Sequence, residues 1–423
     1  MVRTMAYLPS WFPEAKLGIF VHWGLFGTMY SEEGDFPGRK SRVLSPEEYR
    51  RRAGLFTCEN FDMVEWTEKF RRWGARYAVL TARHSQGFPL WETAVEPERS
   101  VTRMSPCERD LVREWCEGLR QAGLKVGLYF CHRDWGDPDF AAVMDKEEGV
   151  VTDPAERERR WAVYRERTRG KLKELLSNYG RVDQLWVDEN WGATAEELGT
   201  RKLRDLAMSL QPDLVTNGRW SLPWGMYNNP EQNIPVDVFP PGGTFFEVCD
   251  TLAESPHWQY LDCPRKYKAK EDVLRFFIDA ISSGGNYLIN IGPDWTGAIP
   301  AEEEAILDHL GDFVRRNEEA VYGTVAGLER KLYGGGSTQR PGALYLFDHE
   351  RGKREMVLRG LRNEVVSVTR LDTGEPLPHR FSGGRPSHGA PPYIWIQPSS
   401  DPPRDGPVVV KITYKEELNI CPW

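Results

Sequence analysis

From about residue 16 onward the chain alternates short apolar runs with longer stretches of helical periodicity, and this alternation limits its folds more than any other feature. The runs are residues 17–22 (LGIFVH), 77–82 (YAVLTA), 126–130 (VGLYF), 184–188 (QLWVD), 214–217 (LVTN) and 287–291 (YLINI), each bounded by Gly, Pro or polar residues. Between them lie helix candidates such as 110–122 and 153–178, the second crowded with Arg, Glu and Lys that need a solvated face. Near-continuous apolar strands separated by helices are the pattern of a parallel sheet covered by helices on the outside. With 423 residues the chain exceeds one (β/α) barrel of roughly 250 to 350 residues by a small domain. Past Tyr322 the texture changes to short alternating segments, 343–347, 364–371, 393–397 and 408–414, separated by Gly and Pro turns. The expectation is an α/β protein: a TIM-like (β/α) barrel over 1–329 carrying the chemistry, then a C-terminal antiparallel β-sandwich over 330–423.

In such a barrel the residues ending the strands face the active-site mouth. The apolar runs end on or near His22, His84, Asp188 and Arg219, with Trp23, Tyr129 and Trp186 as aromatic neighbours. One polar strand end is an ordinary cap, but four together point to a site. Glycosidic bonds are usually cleaved by two carboxyl groups, one attacking or activating water and one protonating the leaving oxygen. Asp and Glu total 63, so position must discriminate among them. Asp188 closes the run LWVD below an aromatic wall supplied by Trp186. Glu189 follows at once, and adjacent strand residues point to opposite sides. For the partner acid, Glu247 stands out in residues 244–250 (TFFEVCD), where apolar neighbours would desolvate a carboxyl and raise its pKa. Asp250, Glu254 and Glu231 are weaker candidates for the same role.

Other chemistries find little support. A net charge of -8 disfavours a nucleic-acid or anionic-membrane surface and suits a neutral polar small molecule. The sequence contains no GxSxG, GxxxxGK[ST] or HExxH motif and no run of 18 apolar residues. Seven scattered cysteines without a CxxC pair read as reduced thiols, and the start of the chain reads as that of a cytoplasmic protein. His132, Asp134 and Asp137 have a spacing too common to argue a metal, so neither metal nor cofactor is expected. The 16 Trp residues suit sugar stacking, although core packing accounts for most of them. Homo-oligomerisation is left open.

Longer motifs add to this reading. WFPEAKLGIFVHWGLFG (11–27), the run 56–88 ending TARHSQGF, LVREWCEGLRQAGLKVGLYF (111–130) with DW at 134–135, LWVD (185–188), NGRW (217–220), SSGGNYLINIGPDWTGAIP (282–300) and NEEAVYGT (317–324) occur in collinear order. In these motifs the chain resembles the alpha-L-fucosidases of glycoside hydrolase family 29. The resemblance implies Asp188 as the nucleophile of a covalent glycosyl-enzyme intermediate. It further implies Glu247 as acid/base, with residues 258–260 (WQY) following it, and His22, His84, Tyr129, Trp186, Arg219 and Trp258 as sugar-binding residues. Four departures accompany it. Ser85 replaces a second sugar-binding histidine, 35–42 (DFPGRKSR) lacks an expected EW pair, Glu189 stands where Gly commonly follows the nucleophile, and Phe130 replaces a Tyr. The expected function is retaining hydrolysis of terminal α-L-fucose, or a related α-L-sugar such as L-galactose, from glycoconjugates or oligosaccharides. The alternative is a catalytically inactive carbohydrate-binding pseudo-enzyme.

Overall fold

The computed structural model describes residues 8–25, 46–144, 150–188, 192–235, 245–254, 257–350, 353–384, 391–399 and 405–421. Seven parallel strands form one sheet: β1 (Leu17–Val21), β2 (Tyr77–Arg83), β3 (Lys125–Phe130), β4 (Gln184–Val187), β5 (Val215–Thr216), β6 (Glu247–Thr251) and β7 (Asn286–Ile291). Their order is β5-β4-β3-β2-β1-β7-β6. All but Lys125 of these residues are buried, which explains why each strand reads as an apolar run and not as an alternation.

The two edges of this sheet, β5 and β6, are joined by residues 226–232, which carry no apolar run. Met226 N–H donates to Thr216 O, and the parallel bridge Asn217 to Tyr227 continues that contact. On the other side Glu247 N donates to Asn228 O, Cys249 N to Pro230 O and Gln232 N to Cys249 O. The segment thus fills an eighth position and, by single bridges to both edge strands, closes the sheet into a barrel.

The helices lie where their caps place them. Asp110 and Asp153 accept backbone N–H groups of Arg113 and Glu156, so the helices begin one residue later, at Leu111–Gln121 and Pro154–Ser177. The first buries Leu111, Val112, Trp115, Cys116 and Leu119 along one stripe against the sheet. The barrel floor is plugged by helix Trp11–Ala15, whose Phe12 ring meets Tyr77 and Tyr227 at 5.8 and 4.6 Å.

From Val325 onward the chain is antiparallel. Strands β8 (Val325–Ala326), β9 (Gly336–Arg340), β10 (Ala343–Asp348), β12 (Val365–Arg370) and β15 (Val408–Tyr414) form one sheet, and β11 (Met356–Arg359), β13 (His379–Gly383) and β14 (Pro392–Ile396) another. Leu344, Leu346, Leu358, Ile394, Ile396, Val410 and Ile412 fill the space between them. The alternate residues Ala343, Tyr345, Phe347 and Val409 join the barrel's core, so β10 and the start of β15 are buried on both faces. Among the described residues no helix is long and apolar enough to cross a membrane. Residues 35–42 and Glu189, where the sequence departs from the family pattern, lie outside the described residues.

Candidate active site

Strand periodicity sorts the inward-facing side chains into layers. On β4 and its extension Gln184, Trp186 and Asp188 share a face, which at about 3.3 Å per residue spreads them over roughly 13 Å from floor to mouth. The closing segment repeats the pattern with Tyr227, Asn229 and Glu231. Tyr227 meets Gln184 Nε2 at 2.5 Å at the floor, while Glu231 reaches the residues around Asp188 at the mouth.

At the mouth, the Tyr129 hydroxyl donates to Asp188 Oδ2 at 2.9 Å, and Arg133 approaches the same oxygen at 3.5 Å. Arg219 Nη1 donates to Asp188 Oδ1 at 3.2 Å and also pairs with Glu231 Oε1 at 2.5 Å. Two oxygens bound to one nitrogen at those distances stand no more than about 5.7 Å apart, a bound that admits the roughly 5 to 5.5 Å of a retaining carboxyl pair. Arg219 is itself fixed, with Nη2 donating to Asn229 O at 2.9 Å and its guanidinium 4.6 Å from the Trp186 ring. The Asp188 side chain is 13% exposed and that of Glu231 45%, so the second faces solvent more openly.

His22, His84, Tyr129 and Trp258 form an adjoining wall. His84 stacks on Tyr129 at 5.1 Å, and His22 lies 5.5 Å from His84 and 5.1 Å from Trp258. Burial holds both imidazoles neutral, taking His22 down to about 4 and His84 well below its ordinary value. Their hydrogen bonds select opposite tautomers. Asn290 donates its Nδ2 to Trp258 O, leaving its Oδ1 to accept from His22 Nδ1 at 2.6 Å, so Nε2 of His22 is an acceptor. His84 Nδ1 instead accepts the Ser85 N–H at 2.8 Å, which puts its proton on Nε2.

A family model described as Alpha-L-fucosidase matches residues 3–319. The chain belongs to the alpha-L-fucosidase family. It is 29% identical over 338 residues to the tissue alpha-L-fucosidase of Mus musculus, covering 74% of this chain and 71% of that one. Against the plasma alpha-L-fucosidase of Homo sapiens it is 28% identical over 341 residues, covering 75% and 70%. Alpha-L-fucosidase isoenzyme 1 from Paenibacillus thiaminolyticus superposes with a TM-score of 0.83 at 30% identity, over 96% of this chain and 98% of that one. The protein is therefore a glycoside hydrolase, with the barrel and sandwich of its family's structures.

Within this alpha-L-fucosidase framework one sequence expectation needs correction. Glu247 is not at the mouth: it opens β6, in register with Asn286 at the start of β7, and is completely buried. Its oxygens accept from Tyr77 Oη at 2.6 Å, Gln184 Nε2 at 3.1 Å, Trp186 Nε1 at 3.1 Å and Asn229 Nδ2 at 3.0 Å. Burial raises its pKa to about 7, as its apolar neighbours suggested, although the hydrogen bonds from Tyr77, Gln184 and Trp186 oppose the rise. These donors enclose the carboxyl toward the floor, below the layer of Asp188 and Glu231. Trp23 likewise turns from the site into the outer core, packing on Phe56, Phe61 and Trp66.

Sequence reasoning overlooked Arg133, weighed His132 only as a metal ligand, and placed Glu231 among the weaker acid candidates. His132 Nδ1 donates to Asp188 O at 3.0 Å, tying the β3 extension to the Asp188 backbone. Nearby, acidic oxygens of Glu96, Asp134 and Asp137 lie within 4.8 Å of one another. Their charge is met by Arg83, Arg99, Arg167 and Lys171, an ion-pair network beneath the loop that carries Arg133.

Proposed function

We propose that this glycoside hydrolase releases terminal α-L-fucose, or a closely related α-L-sugar such as L-galactose, from oligosaccharides or glycoconjugates by double displacement with Asp188 as nucleophile and Glu231 as acid/base. The observation that carries the reading is the single Arg219 nitrogen shared by both carboxylates. In the first step Asp188 attacks the anomeric carbon while Glu231 protonates the departing oxygen. In the second, Glu231 removes a proton from water as water displaces Asp188, and the sugar leaves with its original anomeric configuration. Tyr129 and Arg133 stabilise the Asp188 carboxylate before attack, and Arg219 spans the pair.

The opposite tautomers of His22 and His84 support recognition of a sugar hydroxyl that donates to one imidazole and accepts from the other. Trp258, beside His22, offers an apolar surface to the sugar ring. A binder that had lost turnover would have no use for two carboxylates drawn to one guanidinium nitrogen, which disfavours the pseudo-enzyme reading.

The test is turnover of a panel of 4-nitrophenyl α-L-glycosides, fucoside and galactoside included, by the wild type and by Asp188→Ala and Glu231→Ala. Release by the wild type and its loss in Asp188→Ala are expected, and the preferred member identifies the sugar. Release from no member, with binding of free L-fucose detected by calorimetry, would restore the binding-protein reading.

A further inference from the structure

We propose that Glu247 is a positioning residue for the reaction: an encased carboxylate that acts through Arg219 to set the separation of Asp188 and Glu231. The inference rests on the reading of those two residues as the reacting pair.

Apart from the carboxylates, Arg219 rests on two supports: the Trp186 ring beside its guanidinium and the Asn229 carbonyl that accepts from Nη2. Both supports end on one atom. Trp186 Nε1 and Asn229 Nδ2 donate to the same Oε1 of Glu247, at 3.1 and 3.0 Å. The other oxygen, Oε2, accepts from Tyr77 Oη at 2.6 Å and Gln184 Nε2 at 3.1 Å, the amide also reaching Oε1 at 3.3 Å. Glu247 thus joins β2 and β4 at the floor to the ring and the backbone that cradle Arg219.

The cage turns donors toward both carboxyl oxygens, which favours the ionised form and opposes the rise in pKa that burial causes. Four donors converge on two oxygens, and among the described residues no Lys or Arg is hydrogen-bonded to them. Gln184 and Asn229 both turn their NH2 groups toward Glu247, and their own oxygens are buried without a hydrogen-bond partner among the described residues. Those amides are oriented for an acceptor at position 247 at the loss of their own acceptors' bonds. A glutamine there would set a donor against a donor, release Trp186 or Asn229, and free Arg219 to drift between the carboxylates. Misplacement of a reacting group by about 1 Å is enough to slow a reaction roughly a hundredfold.

The experiment compares Glu247→Gln and Glu231→Gln on a good leaving group (4-nitrophenyl α-L-fucoside) and a poor one (methyl α-L-fucoside), across pH and with or without azide. Rates are referred to the folded fraction measured by circular dichroism. For Glu247→Gln, kcat is expected to fall by roughly ten- to a hundredfold on both substrates alike. KM should change little, the basic limb of the pH profile should persist, and azide should give no rescue. For Glu231→Gln the poor leaving group should suffer far more, the basic limb should vanish, and azide should restore turnover of the aryl fucoside.

Unchanged kcat in folded Glu247→Gln would overturn the positioning role while leaving Glu231 as the acid. Leaving-group discrimination and azide rescue in Glu247→Gln, but not in Glu231→Gln, would overturn both readings. Tyr77→Phe, which removes one donor to Oε2, covers the case in which Glu247→Gln does not fold. It should lower kcat severalfold with the ratio between the two substrates unchanged, and wild-type kcat in that variant would overturn the proposal.

Discussion

The mouth and the floor of this barrel are built from the same kinds of side chain, a carboxylate with tyrosine, tryptophan and amide or guanidinium partners, and use them differently. At the floor Glu247 is sealed by neutral donors, and burial lifts its pKa to about 7. At the mouth Asp188 and Glu231 share a guanidinium and remain partly open to solvent. The layer a carboxylate occupies, set by its place in the two-residue period of a strand, decides whether it can meet a substrate. Local apolarity does not: it marks desolvation, which is greatest at the floor.

The comparison breaks first at its largest expected effect. Asp188→Ala should lower kcat on an aryl fucoside by at least about 10⁴-fold, as loss of a nucleophile does when the remaining machinery cannot substitute. Steady-state kinetics would read this, and a variant retaining a tenth of wild-type activity would remove Asp188 from the mechanism. Next, Glu231→Ala should cost about 10² to 10⁴-fold on a substrate with a poor leaving group, the usual contribution of a general acid. Equal losses on good and poor leaving groups would show that Glu231 transfers no proton.

The floor makes a distinct prediction about stability. Glu247 holds its proton in the folded protein up to about pH 7, against an ordinary value of 4.5, so its contribution is fully present below about 4.5 and is lost as pH rises through 7. The loss amounts to about 3 kcal/mol. His22, with its pKa lowered to about 4, acts in the opposite sense, its contribution being present above 6.5 and lost as pH falls toward 4. Both proteins share that histidine. The difference in unfolding free energy between wild type and Glu247→Gln, from urea titrations, should therefore shift in favour of the variant by about 3 kcal/mol between pH 4.5 and 8. A difference independent of pH would mean that Glu247 is not sealed.

The smallest effect sharpens the mouth. Tyr129→Phe removes the neutral donor to Asp188 Oδ2 but leaves Arg133 and Arg219, and a hydrogen bond to a charged group is worth about 1.5 to 3 kcal/mol. A loss of roughly ten- to a hundredfold in kcat/KM is expected, and an unchanged value would leave the arginines as the groups that hold the carboxylate.

Much of the barrel was legible because its strands are buried on both faces and so read as apolar runs from LGIFVH to YLINI. The closing segment was not. In MYNNPEQ the inward positions Tyr227, Asn229 and Glu231 carry polar work, Pro230 interrupts any strand propensity, and β5 beside it is two residues long. The available signal was a polar or aromatic residue at every second position between two strands that otherwise lacked a partner. Glu247 was read correctly for its desolvation and incorrectly for its place. Phe246 and Val248 belong to the outer core, so they marked a buried strand and gave no measure of its depth. Arg133 was hidden in CHRDWGD, which reads as a loop, and only the three-dimensional meeting of β3 with Asp188 exposes it.

The most direct test of the central claim is the anomeric configuration of the azide products formed from an aryl α-L-fucoside by Asp188→Ala and Glu231→Ala, read by proton NMR. The account predicts an inverted glycosyl azide from Asp188→Ala, where azide replaces the nucleophile, and a retained one from Glu231→Ala, where azide intercepts the glycosyl-enzyme. A retained azide from Glu247→Ala, with none from Glu231→Ala, would contradict it and move the acid from the mouth to the floor.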